Sequence, residues 1–334
     1  MSVESCAYRA LLASFREMSF FHSPQSMGKL GSQSVRKSAI RLGSGLMALS
    51  LSLGAALPSL AADPFRSNSA YEIGEHTQAA FEAIFKEGDY VTAEAALEQA
   101  EQAEANEPLV HAMIASIEYL KGGNDLAEVA RRADLTTAAA ADLIESDPLR
   151  GHLYTAVGTF LKGAYVLKTE GVAKGTPQAL SMLQTVFNSL DEAEAIDADD
   201  PELNLIKGYM DLMLAVNLPF SNPAEAIERM DAHGSPVYLA QRGIAVGYRD
   251  LEQYDAAMDA VNQAIAAAPT NPELMYLKAQ IANRLGNQAE SSQLYAEALT
   301  YADQLPDSLV DRITWEGCVV GGTNPQECSA QVGY

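Results

Sequence analysis

The apolar positions of this chain follow two patterns. Leu42 to Leu60 is a continuous uncharged run, LGSGLMALSLSLGAALPSL. From about residue 74 onward, apolar residues instead recur every three or four positions, the spacing that puts them on one face of an α-helix. These amphipathic stretches come in pairs. In 238–271, Ile244, Ala245 and Tyr248 mark a first helix and Ala257, Val261 and Ala264 a second, with Glu252-Gln253-Tyr254-Asp255 as the turn. Pro269 closes the pair, because a proline ring cannot continue a helix. The next 34 residues, 272–305, repeat the plan: Ala279 and Ala282, a Gly286-Asn287 turn, then Ser291, Tyr295 and Ala298. Ala245 and Ala257 fall where two antiparallel helices approach most closely, and a larger side chain would wedge them apart. Tyr248 and Tyr295 are placed to fill the gaps to the neighbouring hairpin.

A looser version of the pattern runs back to residue 74. In 74–107 the turn is Gly88-Asp89-Tyr90, followed by Ala93, Leu97 and Ala100. In 108–147, Pro108 opens a helix carrying Ile114 and Ala115, with Gly122-Gly123-Asn124 at the turn and Ala127 after it. The unit at 148–200 is expanded. Tyr154, Val157, Gly158 and Leu161 mark a first helix reaching about Lys168, then a Gly-rich loop, then a second helix from Pro177 to Ile196. The unit at 201–237 starts at Pro201, places Gly208 at its crossing, and has a short second helix from Pro223 to His233.

A 34-residue helix–turn–helix with small crossing residues, a Gly-Asp-Tyr-like turn and a closing Pro resembles the tetratricopeptide repeat (TPR) family. The resemblance implies an all-α, right-handed superhelix (a solenoid) of about six hairpins over 74–305. Its units are 74–107, 108–147, 148–200, 201–237, 238–271 and 272–305, with 306–334 as a terminal cap.

The apolar run near the start changes the reading of compartment and charge. Lys29 to Arg41 form a basic stretch before it, and Ser59-x-Ala61 supplies the small residues that a signal peptidase accepts. Residues 27–62 therefore read as a signal peptide cleaved after Ala61 or Ala62, with 63–73 as a linker to the repeats. Met27 reads as the natural start, which makes 1–26 a mis-called extension. The competing reading of the run is a single transmembrane anchor. The whole chain has 334 residues, with Lys+Arg 22 against Asp+Glu 44 and a net charge of −22. Six bases and two acids precede residue 63, so the remainder carries 16 bases and 42 acids, about −26. That excess excludes a nucleic-acid partner, which would need a basic face.

Cleavage also removes Cys6 and leaves Cys318 and Cys328, which in an exported protein read as a disulfide. Closing so short a loop contributes a little under ~3 kcal/mol in the chain-entropy account. The combination of leader, six hairpins and a Cys-x9-Cys tail after Trp315 resembles an exported TPR family of cyanobacteria. This implies the periplasm or the thylakoid lumen.

Candidate chemistry is sparse. His76, His111, His152 and His233 are spread one to a unit, with no i,i+4 pair for zinc. There is no GxSxG elbow, phosphate loop or HExxH. No catalytic residue, metal site or cofactor is assigned. The acidic run from Asp191 to Asp200 lacks the spacing of a calcium loop, and Asp199-Asp200-Pro201 reads as the cap of the next helix.

Binding has more support. A TPR trough is lined by the first helix of each hairpin, and helical spacing turns Arg242, Val246 and Arg249 inward, with Tyr276, Gln280, Asn283 and Arg284 beside them. The candidate partner site is Arg242, Arg249, Tyr276, Asn283 and Arg284, which suits carboxylates of a protein or peptide. The competing reading pairs these arginines with local acids such as Asp250, Glu252 and Glu273. The function expected is an exported, non-catalytic scaffold or adaptor acting through its concave face. The alternative is an exported enzyme or small-ligand binder with a pocket in 148–237, lined by His152, Tyr154 and Tyr165, where Gly158 and Gly163 permit close approach.

Overall fold

A computed structural model describes residues 63–67, 71–121, 126–215 and 222–333. The expected extension 1–26 and signal peptide 27–62, the expected Gly122-Gly123-Asn124 turn and most of the 216–223 connector lie outside the described residues. Among those described, every regular element is a helix, and the helices come in antiparallel pairs. The first pair is α1 (Glu75–Phe81, continued by a π-helical turn Glu82–Glu87) and α2 (Tyr90–Ala103). Next come α3 (Pro108–Lys121) with α4 (Ala127–Leu143), and α5 (Pro148–Glu170) with α6 (Val172–Ile196). Then follow α7 (Pro201–Ala215) with α8 (Pro223–His233), and α9 (Val237–Asp250) with α10 (Tyr254–Ala267). The sixth pair is α11 (Pro272–Arg284) and α12 (Gln288–Ala298, extended by a 3-10 turn Leu299–Gln304).

Small residues hold the crossings as the sequence predicts. Ala93, Ala100, Ala245, Ala257, Ala264, Ala279, Ala282 and Ala298 are fully buried, and a Cβ at Gly208 would collide with Met230. The helix starts are marked chemically. Asp89, Asp147, Asp200 and Asn271 accept hydrogen bonds from Thr92, Arg150, Leu203 and Glu273 backbone N–H groups that have no partner inside the helix.

Four features depart from the sequence reading. The Gly-rich loop of the third unit is absent. Gly171, at φ +74°, is the whole turn, and α6 begins at Val172 with Pro177 inside it. Gly175 is buried against Val166 and Leu167 of α5, so this glycine serves close helix packing rather than chain reversal. Pro177 is tolerated because it lies in the second turn, on an exposed face, where it removes a single ladder bond.

The cap is itself a helical hairpin, α13 (Asp307–Val320) and α14 (Pro325–Val332). The Cys318–Cys328 disulfide joins the two, and Trp315 Nε1 donates to Ser329 Oγ at 3.1 Å. The 63–73 segment is no free linker. Phe65 and Ile73 are buried, and Phe65 meets Phe81 edge-on at 5.0 Å.

Finally, the first unit reaches beyond its neighbours. Tyr90 Oη donates to Glu273 at 2.9 Å and Asn271 Nδ2 donates to Phe85 O at 3.1 Å, while Ser308 Oγ of the cap donates to Leu120 O of the second unit at 2.8 Å. Gly88, with φ +71°, presses so close to Pro272 that a Cβ there would stand 2.7 Å from its ring. The solenoid thus closes end to end, hairpin one upon hairpin six.

Candidate partner-binding site

The predicted partner residues share the end of the stack where this closure occurs. Arg242 of α9 donates to Glu273 Oε2 at 2.6 Å, across to the start of α11. The same carboxylate accepts from Tyr90 of hairpin one. Burial opposes the charge on Arg242, yet Glu273 outweighs it and holds the guanidinium pKa above its ordinary value. Burial likewise pushes the adjacent Tyr209 hydroxyl up to about 12. Arg242 is therefore tied into the closure of the ring through the carboxylate that Tyr90 also bonds.

Arg249, about two turns further along α9, is covered to much the same degree. It donates to Asp250 at 2.8 Å and to Gln280 Oε1 at 2.7 Å. The local acid pairing considered from sequence thus holds for Arg242 with Glu273 and for Arg249 with Asp250. Tyr276 is buried and donates to Glu316 of the cap at 2.8 Å. Arg242, Arg249, Tyr276 and Gln280 share a cavity of about 40 Å³, walled on its far side by Leu120, Leu309 and Arg312. That is room for about one water molecule, not for a peptide. Asn283 and Arg284 stand outside it at the end of α11, half-exposed and exposed respectively. The structure therefore brings together Arg242, Arg249 and Tyr276, and leaves Asn283 and Arg284 as an adjoining rim.

A second set of inner-face residues escaped the sequence reading. Arg66, from the segment preceding the repeats, donates to both oxygens of Asp200 at 2.7 and 2.8 Å. It also meets Asp63 at 2.8 Å and Glu202 at 3.1 Å, and lies 4.8 Å over the Tyr71 ring. Arg150 grips Glu107 through two nitrogens, at 2.7 and 3.1 Å, and reaches Glu202 at 3.2 Å. Tyr154 Oη completes the cluster by donating to Glu202 Oε1 at 2.6 Å. Burial raises the Glu107 pKa above its ordinary value, against the pull of Arg150. Burial opposes the charge on Arg66 too, but Glu202 and Asp200 prevail and hold its pKa high. A sequence signal did exist: Glu107-Pro108, Asp147-Pro148, Asp200-Pro201 and Asn271-Pro272 open four of the six units with a cap-and-proline pair.

The residues of the alternative pocket do not converge. Tyr154 turns inward to Glu202, whereas His152 meets Glu192 at 2.8 Å on the side toward α6. Tyr165 lies under Lys162, Gly158 packs on α4, and Gly163 faces Met182. The acidic run is engaged as well: Glu194 pairs with Lys207 and, at 2.8 Å, with Arg229.

Paired helices, small-residue crossings and the disulfide-linked end define an all-α, TPR-like repeat solenoid with its inner face closed by its own side chains. No protein-family model matches the chain. Over 138 residues it is 28% identical to the human N-alpha-acetyltransferase 16, NatA auxiliary subunit, and 30% identical to the mouse protein of that name. The match covers 41% of this chain and 15% of each relative, so the chain spans only a small part of their length.

Proposed function

We propose that this chain is an exported scaffold, non-catalytic in itself, that binds a protein or peptide bearing exposed carboxylates. The periplasm is the compartment the leader suggests, or the thylakoid lumen in a cyanobacterium. The contact is assigned to the C-terminal rim, where Asn283 and Arg284 stand at the end of α11, beside the cavity that Arg242, Arg249 and Tyr276 line. The supporting observation is the exposed Arg284, which among the described residues makes no ion pair, although Asp and Glu outnumber Lys and Arg twofold. An arginine left over in so acidic a chain favours a carboxylate from elsewhere. The curated relatives are named as an auxiliary subunit, which agrees with a role in holding another protein.

The test is affinity capture of the mature chain from its native compartment, beside an Arg249→Glu/Arg284→Glu variant. Loss of a captured protein at unchanged helix content supports the rim. Retention of every captured protein overturns it.

A further inference from the structure

Glu316 of the cap lies where the sequence reading would put a partner's carboxylate. Its Oε1 accepts from Tyr276 at 2.8 Å and Arg312 at 3.2 Å, and its Oε2 from Gln280 at 2.9 Å and Tyr295 at 3.1 Å. Tyr276, Gln280 and Tyr295 all belong to the sixth hairpin, and both tyrosines are buried. Two hydroxyls and an amide of the sixth hairpin thus donate to one carboxylate, joined by the guanidinium of Arg312, which the cap itself carries. Arg249 and Arg284 add their fields from the side: burial and Glu316 raise the Tyr295 pKa, and both arginines oppose that rise. Arg249 also donates to Gln280, which in turn donates to Glu316, so one hydrogen-bonded chain links the predicted site to this receptor.

We propose that Glu316 is a resident stand-in for the partner's carboxylate, and that the cap hairpin is a lid whose displacement opens the receptor to an acidic peptide. This rests on the reading of the rim as a carboxylate-binding surface. The lid is a hairpin of its own, tied to the core by Leu305 and Ile313 and to Leu120 of α3 by Ser308. It follows the 3-10 turn Leu299–Gln304 and Leu305-Pro306, and the Cys318–Cys328 bond makes α13 and α14 move together. It seats on the sixth hairpin through Ile313 and Gly317, the latter against Tyr295. The Glu316 side chain keeps 18% of its surface exposed, so a competing carboxylate has a route to the same donors. A cis ligand lowers apparent affinity by the fraction of time it vacates the site, and removing it restores that affinity.

The decisive variant is Glu316→Ala in the full mature chain, and the probe is a fluorescent peptide ending in three glutamates, followed by anisotropy. The variant is expected to bind about tenfold more tightly than wild type, and an added Arg284→Glu change to abolish the gain. Acetate, but not acetamide, is expected to raise the thermal midpoint of the variant by refilling the vacated position. A folded Glu316→Ala chain that binds no tighter than wild type overturns the lid, as does equal rescue by acetate and acetamide. Should that variant fail to fold, Glu316→Gln keeps the volume, removes the charge and is expected to move binding in the same direction. If partner capture depends on Arg249 and Arg284 while the Glu316 variants gain nothing, the lid fails and the rim stands. If the Glu316 variants gain while capture ignores the rim arginines, the rim reading fails alone.

Discussion

Arg150 shows most plainly how single residues hold this molecule. Its guanidinium is buried with Glu107 and Glu202, and each carboxylate is in turn bonded elsewhere. Removing one partner of a buried pair leaves an unpaired charge, which costs about 3–5 kcal/mol. Arg150→Met is therefore expected to lower the urea midpoint severely, whereas a loss under about 1 kcal/mol, the range of a surface pair, would contradict the network. Exposed acids behave differently. Hydrogen bonds from Arg131 and Arg132 hold the Glu128 pKa down at about 2. A carboxylate with a lowered folded pKa stabilises above its unfolded value of about 4.3 and loses that contribution as pH falls toward the folded one. Unfolding curves taken from pH 5 to pH 2 are expected to show this acid limb, shallower in Glu128→Gln.

At the scale of elements, the helical hairpins were legible because their information is local. Alanines three and four apart, caps before prolines and Gly-Asp-Tyr turns each act within one unit, so the sequence displays them directly. The boundary between α5 and α6 was not, because glycine has two uses. Gly175 reads like loop and instead lets two helices touch. The cap gained more from the structure than its cysteines announced, since the disulfide joins two helices rather than closing a bare loop. Opening it is expected to weaken the α13–α14 hairpin by a little under ~3 kcal/mol. Hydrogen exchange of a Cys318→Ser/Cys328→Ser variant checks this: faster exchange confined to 307–332 agrees, and uniform change along the chain does not.

The whole molecule departs most from a simple stack, and for a physical reason. Repeat periodicity describes which face of each helix is buried, but not whether the first and last units meet as the stack curves. Closure depends on contacts such as Tyr90 with Glu273 and Gly88 with Pro272, more than 180 residues apart, which no window of sequence contains. The same limit hid the candidate site's state. Arg242 and Arg249 share α9 and pair with the nearby Glu273 and Asp250, but Tyr90 of hairpin one and Glu316 of the cap, which bond Glu273 and Tyr276, come from far along the chain. Gly88→Val is expected to part the ends, because a branched side chain suits neither φ +71° nor the space against Pro272. Small-angle scattering would register this as a larger radius of gyration at unchanged helicity; an unchanged radius would contradict closure at that point.

The central claim is that the C-terminal rim of a self-closed solenoid contacts another protein. Site-specific photocrosslinking in the native compartment tests it most directly, with a photoreactive residue at position 283 and a control on the exposed outer face at 263. The account predicts a discrete crosslinked protein from 283, lost when Arg284 is changed to Glu, and none from 263. Crosslinking from 263 with silence at 283 would contradict it.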